Sequence, residues 1–464
     1  GSFAGFPYIE PTVGRPWPLP QSETPGDGYM TVDPTNFTFQ ATGESCDILT
    51  KAFQRYQSII FSHENPTMHK PRNQKKRVSE NLIGEGQLTS LNVNLALACE
   101  DYPYLNMYEQ YELKLYSNFG LPKICHSAKG AWSDIHVYTS QDIDIVVNYA
   151  RDLGIRVIPE FDTPGHTRSW GEGQPGLLTT CYRNETPVGT YGPIDPSNEE
   201  NFVFLQNLFQ EIASRFPDHY LHLGGDEVPF TCWSKNVLKI VHCVYIIVSQ
   251  CQHLDQRNKI FKSKINNVRN NLHLYHIFDI IEQNRSQANN FYVFLRNTSS
   301  SAYLPYIVWE EVFDNGVQIA PDTVVHVWKH SSTPILFYSE IASVTAAGYQ
   351  ALLSSCWYLN LIEYGSDWQK FYDCDPQGFD GTDEQKSLVL GGEACMWAEY
   401  IDETNVISTM WPRAAPVAER LWSNKNDTIS ADEASPRLEE HRCRLFRRGY
   451  AVEPLGPSYC SEVL

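Results

Sequence analysis

From about residue 136 onward the chain repeats strand, loop and helix, and that rhythm constrains its fold more than any other feature of its 464 residues. Ser140 is placed to cap a helix carrying Ile143, Val146, Val147 and Ala150, which Gly154 ends. Arg156-Val-Ile-Pro-Glu-Phe-Asp162 follows as a predicted strand. The next helix is marked by Leu205, Leu208, Phe209, Ile212 and Phe216 and stopped by Pro217. His219 to Gly224 reads as the following strand. Four more are predicted at 306–313, 323–329, 349–358 and 389–396. Repeated βα units imply a parallel sheet, most economically a (β/α)8-type TIM barrel, so the expected fold class is α/β.

Ahead of that rhythm stands a small α+β segment. Ile48, Leu49, Ala52, Phe53, Tyr56, Ile59 and Ile60 recur at helical spacing, while Leu91 to Leu97 and Tyr111 to Tyr116 alternate like half-buried strands. The expected division is an N-terminal domain at 1–118 and a barrel domain at 119–464, the latter holding an atypical segment at 237–305.

The candidate functional residues fall at predicted strand C-terminal ends, the face that carries chemistry in such barrels. They are Asp162, Asp226, Glu227, Trp309, Trp328, Tyr358, Trp397 and Glu399. Most informative is Leu221-His-Leu-Gly-Gly-Asp-Glu-Val-Pro-Phe230, with two adjacent carboxylates past a short apolar strand. The glycine pair before them is expected to let another molecule approach the backbone. Alternation points neighbouring side chains to opposite faces, but where a strand breaks into a loop both carboxylates can reach one pocket. A protonated acid beside an ionised carboxylate suits glycosidic-bond cleavage. An isolated Gly-Gly-Asp-Glu is otherwise a solvated acidic turn. Two further patterns are set aside as loops: Gly171 to Gly176, which fits a dinucleotide fingerprint but opens no predicted helix, and the basic run from Lys70 to Arg77.

Composition narrows the class. A formal net charge of -19 argues against nucleic acid or an anionic membrane as partner. The longest apolar run, Val241 to Val248, is too short to span a bilayer. Twelve Cys and the sequons at Asn36, Asn184, Asn284, Asn297 and Asn426 point to the secretory route. No zinc-type Cys spacing or His-Glu-x-x-His occurs, so neither metal nor cofactor is expected.

With these residues in place, the chain resembles the β-N-acetylhexosaminidases of glycoside hydrolase family twenty, closest to the animal lysosomal type. The segments that carry the resemblance are Ile158-Pro-Glu-Phe-Asp-Thr-Pro-Gly-His166, His222-Leu-Gly-Gly-Asp-Glu-Val228, Val308-Trp-Glu-Glu-Val312, Trp357-Tyr-Leu-Asn360, Gly391-Gly-Glu-Ala-Cys-Met-Trp-Ala-Glu399, and Trp411 to Ser423. The resemblance implies a substrate-assisted retaining hydrolysis, in which the substrate's own acetamido oxygen attacks the anomeric carbon. Glu227 would then be the general acid and base, and Asp226 would hold the acetamido N–H. Tyr358 would donate to the acetamido oxygen, and Trp309, Trp328 and Trp397 would form an apolar cage. Asn360 and Glu399 would hold sugar hydroxyls, and His166 with Asp162 would buttress the acid. The family pattern also implies disulfides Cys46–Cys99, Cys181–Cys232 and Cys443–Cys460, with Cys395 a buried thiol. Expected partners are terminal amino sugars of glycans, glycoproteins or glycolipids, with a homodimer as the oligomeric option and a lysosomal or secreted location.

The chain departs from the family in two places. Between Tyr116 and Tyr138 the family has far more sequence, including barrel strands one and two and an Arg that grips the sugar. The segment 237–305 is longer than its counterpart and matches nothing recognisable. Two other readings therefore stand beside the first. One is an impaired member of the family, from a truncated or mispredicted gene product, that retains at most glycan binding. The other is an ordinary two-carboxylate glycosidase, which would also cleave sugars lacking the acetamide.

Overall fold

The computed structural model describes residues 9–24, 30–33, 35–43, 45–61, 86–88, 90–93, 131, 137–183, 186–234, 305–329, 334–363 and 365–460. The expected strand at 111–116, the basic run and nearly all of the atypical segment lie outside these.

In chain order the strands are β1 (Met30–Val32), β2 (Thr38–Ala41), β3 (Gly86–Leu88), β4 (Ser90–Val93), β5 (Leu178–Arg183), β6 (Thr186–Ile194), β7 (Leu221–His222), β8 (Tyr306–Trp309), β9 (Val324–Val327), β10 (Gln350–Leu353) and β11 (Val389–Gly392). The last five form one sheet in the order β11-β10-β9-β8-β7, every pair parallel. β5 and β6 make an antiparallel hairpin, and β1–β3 and β2–β4 pair in parallel near the N-terminus.

Both faces of the large sheet are apolar, as a helix-covered parallel sheet requires. On one side Val308 packs with Ile143, Leu205, Leu208 and Ile212 from the helices Ser140–Asp152 and Glu199–Arg215. Val325, Val327, Ala351 and Leu353 pack against Phe337, Ile341 and Val344 of the helix Pro334–Ala346. Alternate residues Ile158, Ile307, Val324 and Leu352 make a separate cluster on the opposite side of the same strands.

Several expected elements are shorter or shifted. The segment 156–162 is extended but forms no regular strand: only Glu160 bridges, to His222. Pro159 has no N–H to give, and the partner β7 is two residues long. The backbone nevertheless runs parallel to β7, with Pro159 O accepting from His222 N at 3.0 Å and Phe161 N donating to His222 O at 3.0 Å. The expected strand 306–313 ends at Trp309, because Glu310–Asp314 closes into a helical turn that buries Val312. The helix after residue 139 is capped by Thr139 rather than Ser140, through a capping box with Asp142. Gly154, at φ 76°, follows that helix as predicted. Of Gly171 to Gly176, expected as loop, the first three residues belong to a single helical turn, Trp170–Gly173, that begins at the buried Trp170.

Two N-terminal pieces dock on the rest of the chain. The helix Asp47–Phe61 meets the helix Ser140–Asp152 through Arg151 on Asp47 at 2.7 Å and Lys51 on Asp152 at 2.5 Å. Residues 9–24 lie along the last helix, Ala431–Arg447. Thr12 Oγ1 and Gly14 N donate to Glu440 at 2.6 and 2.7 Å, and Leu19 N donates to Glu419 Oε2 at 2.8 Å. No helix among the described residues is long and apolar enough to cross a membrane.

Candidate active site

β7 ends at His222 because the next turn is built from glycines in conformations that other residues resist: Gly224 at φ 72° and Gly225 at φ 104°. A Cβ on Gly224 would lie 1.9 Å from Asp162 Oδ1. At Gly224 a close approach is made by the chain's own Asp162. Gly225 N donates to the same oxygen at 2.9 Å. This locks the end of the 156–162 segment to the turn carrying Asp226 and Glu227.

Among the described residues, only His166 (φ 52°) and Glu227 (φ 47°) are non-glycines with positive φ. Such conformations cost on the order of 1–3 kcal/mol each and persist only where surrounding structure fixes them. Here the result is convergence. His166 Nε2 lies 3.5 Å from Asp226 Oδ2, 3.5 Å from Glu227 Oε2 and 3.9 Å from Asp162 Oδ2. Asp226 is buried and Glu227 exposed, so the two neighbours face different surroundings while reaching one imidazole.

The protons distribute accordingly. Burial, then the Asp226 charge, pushes the Asp162 carboxyl well above its ordinary range. Burial also works against charge on Asp226, but hydrogen bonds from His166 and Asp162 outweigh it, and that carboxyl lies below its ordinary range. The bond to Asp226 raises His166 against its own partial burial. Asp226 thus favours its charged form beside a carboxyl and an imidazole that both favour a bound proton, and its Oδ1 is buried without a hydrogen-bond partner among the described residues. Asp162, His166 and Asp226 also offer atoms within 4.8 Å of one another, the spacing of a metal cluster.

The aromatic residues gather beside this group. Trp309, at the end of β8, has its ring 6.1 Å from Trp328 and 6.5 Å from Trp397, and Trp328 is 6.4 Å from Tyr358. Tyr358 and Trp397 are brought together because the β10–β11 pairing continues past both strands: Tyr358 bridges Cys395, and Leu359 N donates to Cys395 O at 2.8 Å. The Tyr358 hydroxyl sits within reach of the Trp397 and Cys395 side chains. Burial foremost raises it far above a normal phenol, and the Asp226 charge adds to the rise. Asn360 is half-buried just past Tyr358, and Glu399 is exposed two residues beyond Trp397.

A buried polar layer beneath the indoles escaped the sequence reading. Trp309 Nε1 donates to Glu160 Oε1 at 3.1 Å. His222 Nδ1 accepts from Gly224 N at 3.1 Å, which leaves its Nε2 to donate to His326 Nδ1 at 3.4 Å. Both rings lean on Trp309, at 4.6 and 4.4 Å. A signal existed: period-two alternation puts Glu160 on the face of Asp162, His222 on that of Gly224, and His326 on that of Trp328.

Disulfides fix the surrounding loops. Cys181–Cys232 ties β5 to the loop after Glu227, and Cys443–Cys460 pins the C-terminal tail to the last helix. Cys356–Cys374, which no sequence pattern assigned, joins the loop before Trp357 to the helix Trp368–Asp373. Cys46 is disulfide-bonded, and its expected partner Cys99 lies outside the described residues.

Proton binding by these groups sets the pH dependence of stability. Asp162 and His166 are raised, and burial foremost raises Glu310 and Glu340 to about 7. A raised group contributes stability that is complete below its unfolded pKa and lost as pH rises through its folded one. For the two glutamates that window runs from the ordinary 4.5 to about 7. Asp226 has the opposite sign, its contribution being lost only as pH falls below its ordinary 3.8. His441, which burial foremost lowers to about 4, runs the other way between there and its ordinary 6.5. The several raised carboxyls outweigh one imidazole, so thermal unfolding at about pH 5 is expected above that at about pH 7.5. Scanning calorimetry that finds the higher midpoint at neutral pH would contradict this assignment of protons.

Comparison with known proteins gives a consistent picture. Residues 96–425 match the family model described as glycosyl hydrolase family 20, catalytic domain, and residues 16–132 match that of "beta-acetyl hexosaminidase like". The chain is 43% identical to β-hexosaminidase subunit alpha of Rattus norvegicus over 349 residues, covering 75% of this chain and 59% of that protein. It is 43% identical to β-hexosaminidase subunit beta of Homo sapiens over 347 residues, covering 75% and 55%. The alignments thus span less than two thirds of these relatives' length. Among solved structures, a Flavobacterium johnsoniae chitobiase superposes with a TM-score of 0.66 at 22% identity, covering 93% of this chain and 72% of that one. A β-N-acetylhexosaminidase of Streptomyces coelicolor gives 0.63 at 15% identity, covering 97% and 100%.

Proposed function

Because the chain belongs to glycosyl hydrolase family 20, we propose that it is an exo-acting β-N-acetylhexosaminidase that removes terminal N-acetylhexosamine by the substrate's own acetamide. The observation that carries this reading is the buried anion Asp226, whose Oδ1 accepts no hydrogen bond among the described residues. It lies close enough to the indole cage for its charge to act on Tyr358. A buried charge without a full set of donors is costly. An amide N–H carried on a small apolar methyl group suits both halves of the site.

In this reading the sugar sits with its acetamide between Trp309, Trp328 and Trp397. Asp226 accepts the acetamido N–H and balances the positive charge that develops as the ring closes. Tyr358 donates to the acetamido oxygen and turns it toward the anomeric carbon. Holding that oxygen in line replaces a bimolecular attack with an internal one. Glu227, exposed beside His166, gives its proton to the departing glycosidic oxygen and then takes one from water. His166 and Asp162 fix the carboxylates, and Asn360 and Glu399 receive the sugar hydroxyls.

The same reading extends to the whole chain. The parallel sheet is part of a (β/α) barrel in residues 119–464, preceded by the α+β domain at 1–118. Terminal amino sugars of glycoproteins, glycolipids or free glycans are the substrates, and association as a homodimer is part of the proposal. The disulfides and the exposed sequon at Asn426 fit a lysosomal or secreted protein. The test is hydrolysis of matched aryl β-glycosides of N-acetylglucosamine and glucose by the full chain near pH 5. Cleavage of the acetamido sugar alone is expected. Equal cleavage of both would remove the substrate-assisted mechanism, and tight binding of N-acetylglucosamine without turnover would favour the impaired form.

A further inference from the structure

The five-residue helix Glu310–Asp314 is placed between two walls of the indole cage. Trp309 is its N-cap, and Trp328 stands at the end of the neighbouring strand β9. Both of its first two side chains reach across to Trp328. Glu310 Oε2 accepts from Trp328 N at 3.2 Å, and Glu311 Oε2 accepts from Trp328 Nε1 at 2.8 Å. Trp309, by contrast, is buried and held from below by Glu160 at 3.1 Å. Trp328 is only partly buried, between the Trp309 and Tyr358 rings, and Glu311 is the hydrogen-bond partner of its ring N–H.

Lys329 keeps the two glutamates in place, at 3.0 Å from Glu310 and 3.9 Å from Glu311, with Asp314 at 2.6 Å. Burial opposes its charge, but Asp314 and Glu310 outweigh this, and Lys329 stays protonated above its ordinary range. The pieces act together: Lys329, anchored on Asp314, holds the two glutamate side chains that hold an indole.

We propose that Glu311 is a positioning residue that sets the N-acyl specificity of the site by latching the Trp328 indole against the space the acetamido methyl would occupy. The proposal rests on the reading above. Its reason is geometric: with the latch made, Trp328 cannot swing outward, and a longer acyl chain is excluded. With the latch gone, the wall yields.

Glu311→Ala is expected to lower kcat/KM for the aryl N-acetylglucosaminide about tenfold, as loss of one side-chain hydrogen bond that fixes the indole would. It should lower that for the N-propanoyl analogue much less, so that discrimination between the two falls several-fold. Glu311→Gln, which keeps an acceptor oxygen, should recover most of both losses. A general folding defect would scale the two substrates alike. A second readout needs no turnover: protein labelled with 5-fluorotryptophan, its Trp328 resonance assigned from Trp328→Phe. That resonance should shift or broaden in Glu311→Ala and stay near its wild-type position in Glu311→Gln. Unchanged acyl discrimination, or a Trp328 resonance indifferent to Glu311→Ala, overturns the latch. Absence of wild-type hydrolysis would strike the proposed function instead, and the fluorine spectrum would still decide the latch.

Discussion

Glu227→Gln should reduce kcat/KM for a β-linked N-acetylglucosamine disaccharide by about 10³-fold, within the 10²- to 10⁴-fold range of positioned general acids. The size of the loss should depend on the leaving group. An alkoxide sugar oxygen needs the proton as the bond breaks, whereas an acidic phenol departs without it. The deficit on a dinitrophenyl glycoside should therefore be far smaller in the first step. Azide needs no general base, so adding it should restore part of the second step and yield a β-glycosyl azide. Thermal stability should change little, because Glu227 is exposed and its recorded contact is with the half-exposed His166. Full activity of the variant on the disaccharide would remove Glu227 from the chemistry.

Glu419→Ala is expected to cost the fold about 3–5 kcal/mol, the range for breaking a buried ion pair from one side. Glu419 is fully buried and accepts from Arg437 at 2.8 and 2.6 Å, from the Tyr372 hydroxyl at 2.8 Å and from Leu19 N at 2.8 Å. Truncation leaves the Arg437 charge enclosed with no anion. Arg437 also lies over the Trp17 ring at 5.0 Å, so the N-terminal segment loses part of its seat. Chemical denaturation should show a lower midpoint with little change in slope, and secretion should fall in step. Glu419→Gln, which keeps acceptors but not charge, should fall between. Equal midpoints for wild type and Glu419→Ala would contradict the pair's structural role.

The parallel sheet and its functional edge were legible because alternation and strand-end position are local properties. Asp162, Asp226, Trp309, Trp328, Tyr358 and Trp397 needed only that placement to be proposed together. The lengths of the strands were not legible. Val312 and Phe313 read equally well as strand or helix, and tertiary burial of Val312 decided for the helical turn. Glu160, His222 and His326 were passed over because a polar residue on an apolar strand carries no local sign of its partner, which lies up to 104 residues away for the His pair. Gly224 signals a point of close approach, but nothing local says that Asp162 is what approaches it. Only the packed chain reveals that Asp162 fills the space.

The docking of residues 9–24 on helices more than 400 residues later has a consequence for biogenesis. This segment has no seat until the helices Ala414–Trp422 and Ala431–Arg447 have been synthesised. Until then Trp17 lacks both the Ala415 carbonyl that its indole N–H reaches and the Arg437 guanidinium that lies over its ring. Loss of the chain from Ala431 onward would remove the Glu440 contacts of Thr12 and Gly14 and leave the segment the hydrogen bonds it makes with Ala415, Glu419 and Ser423.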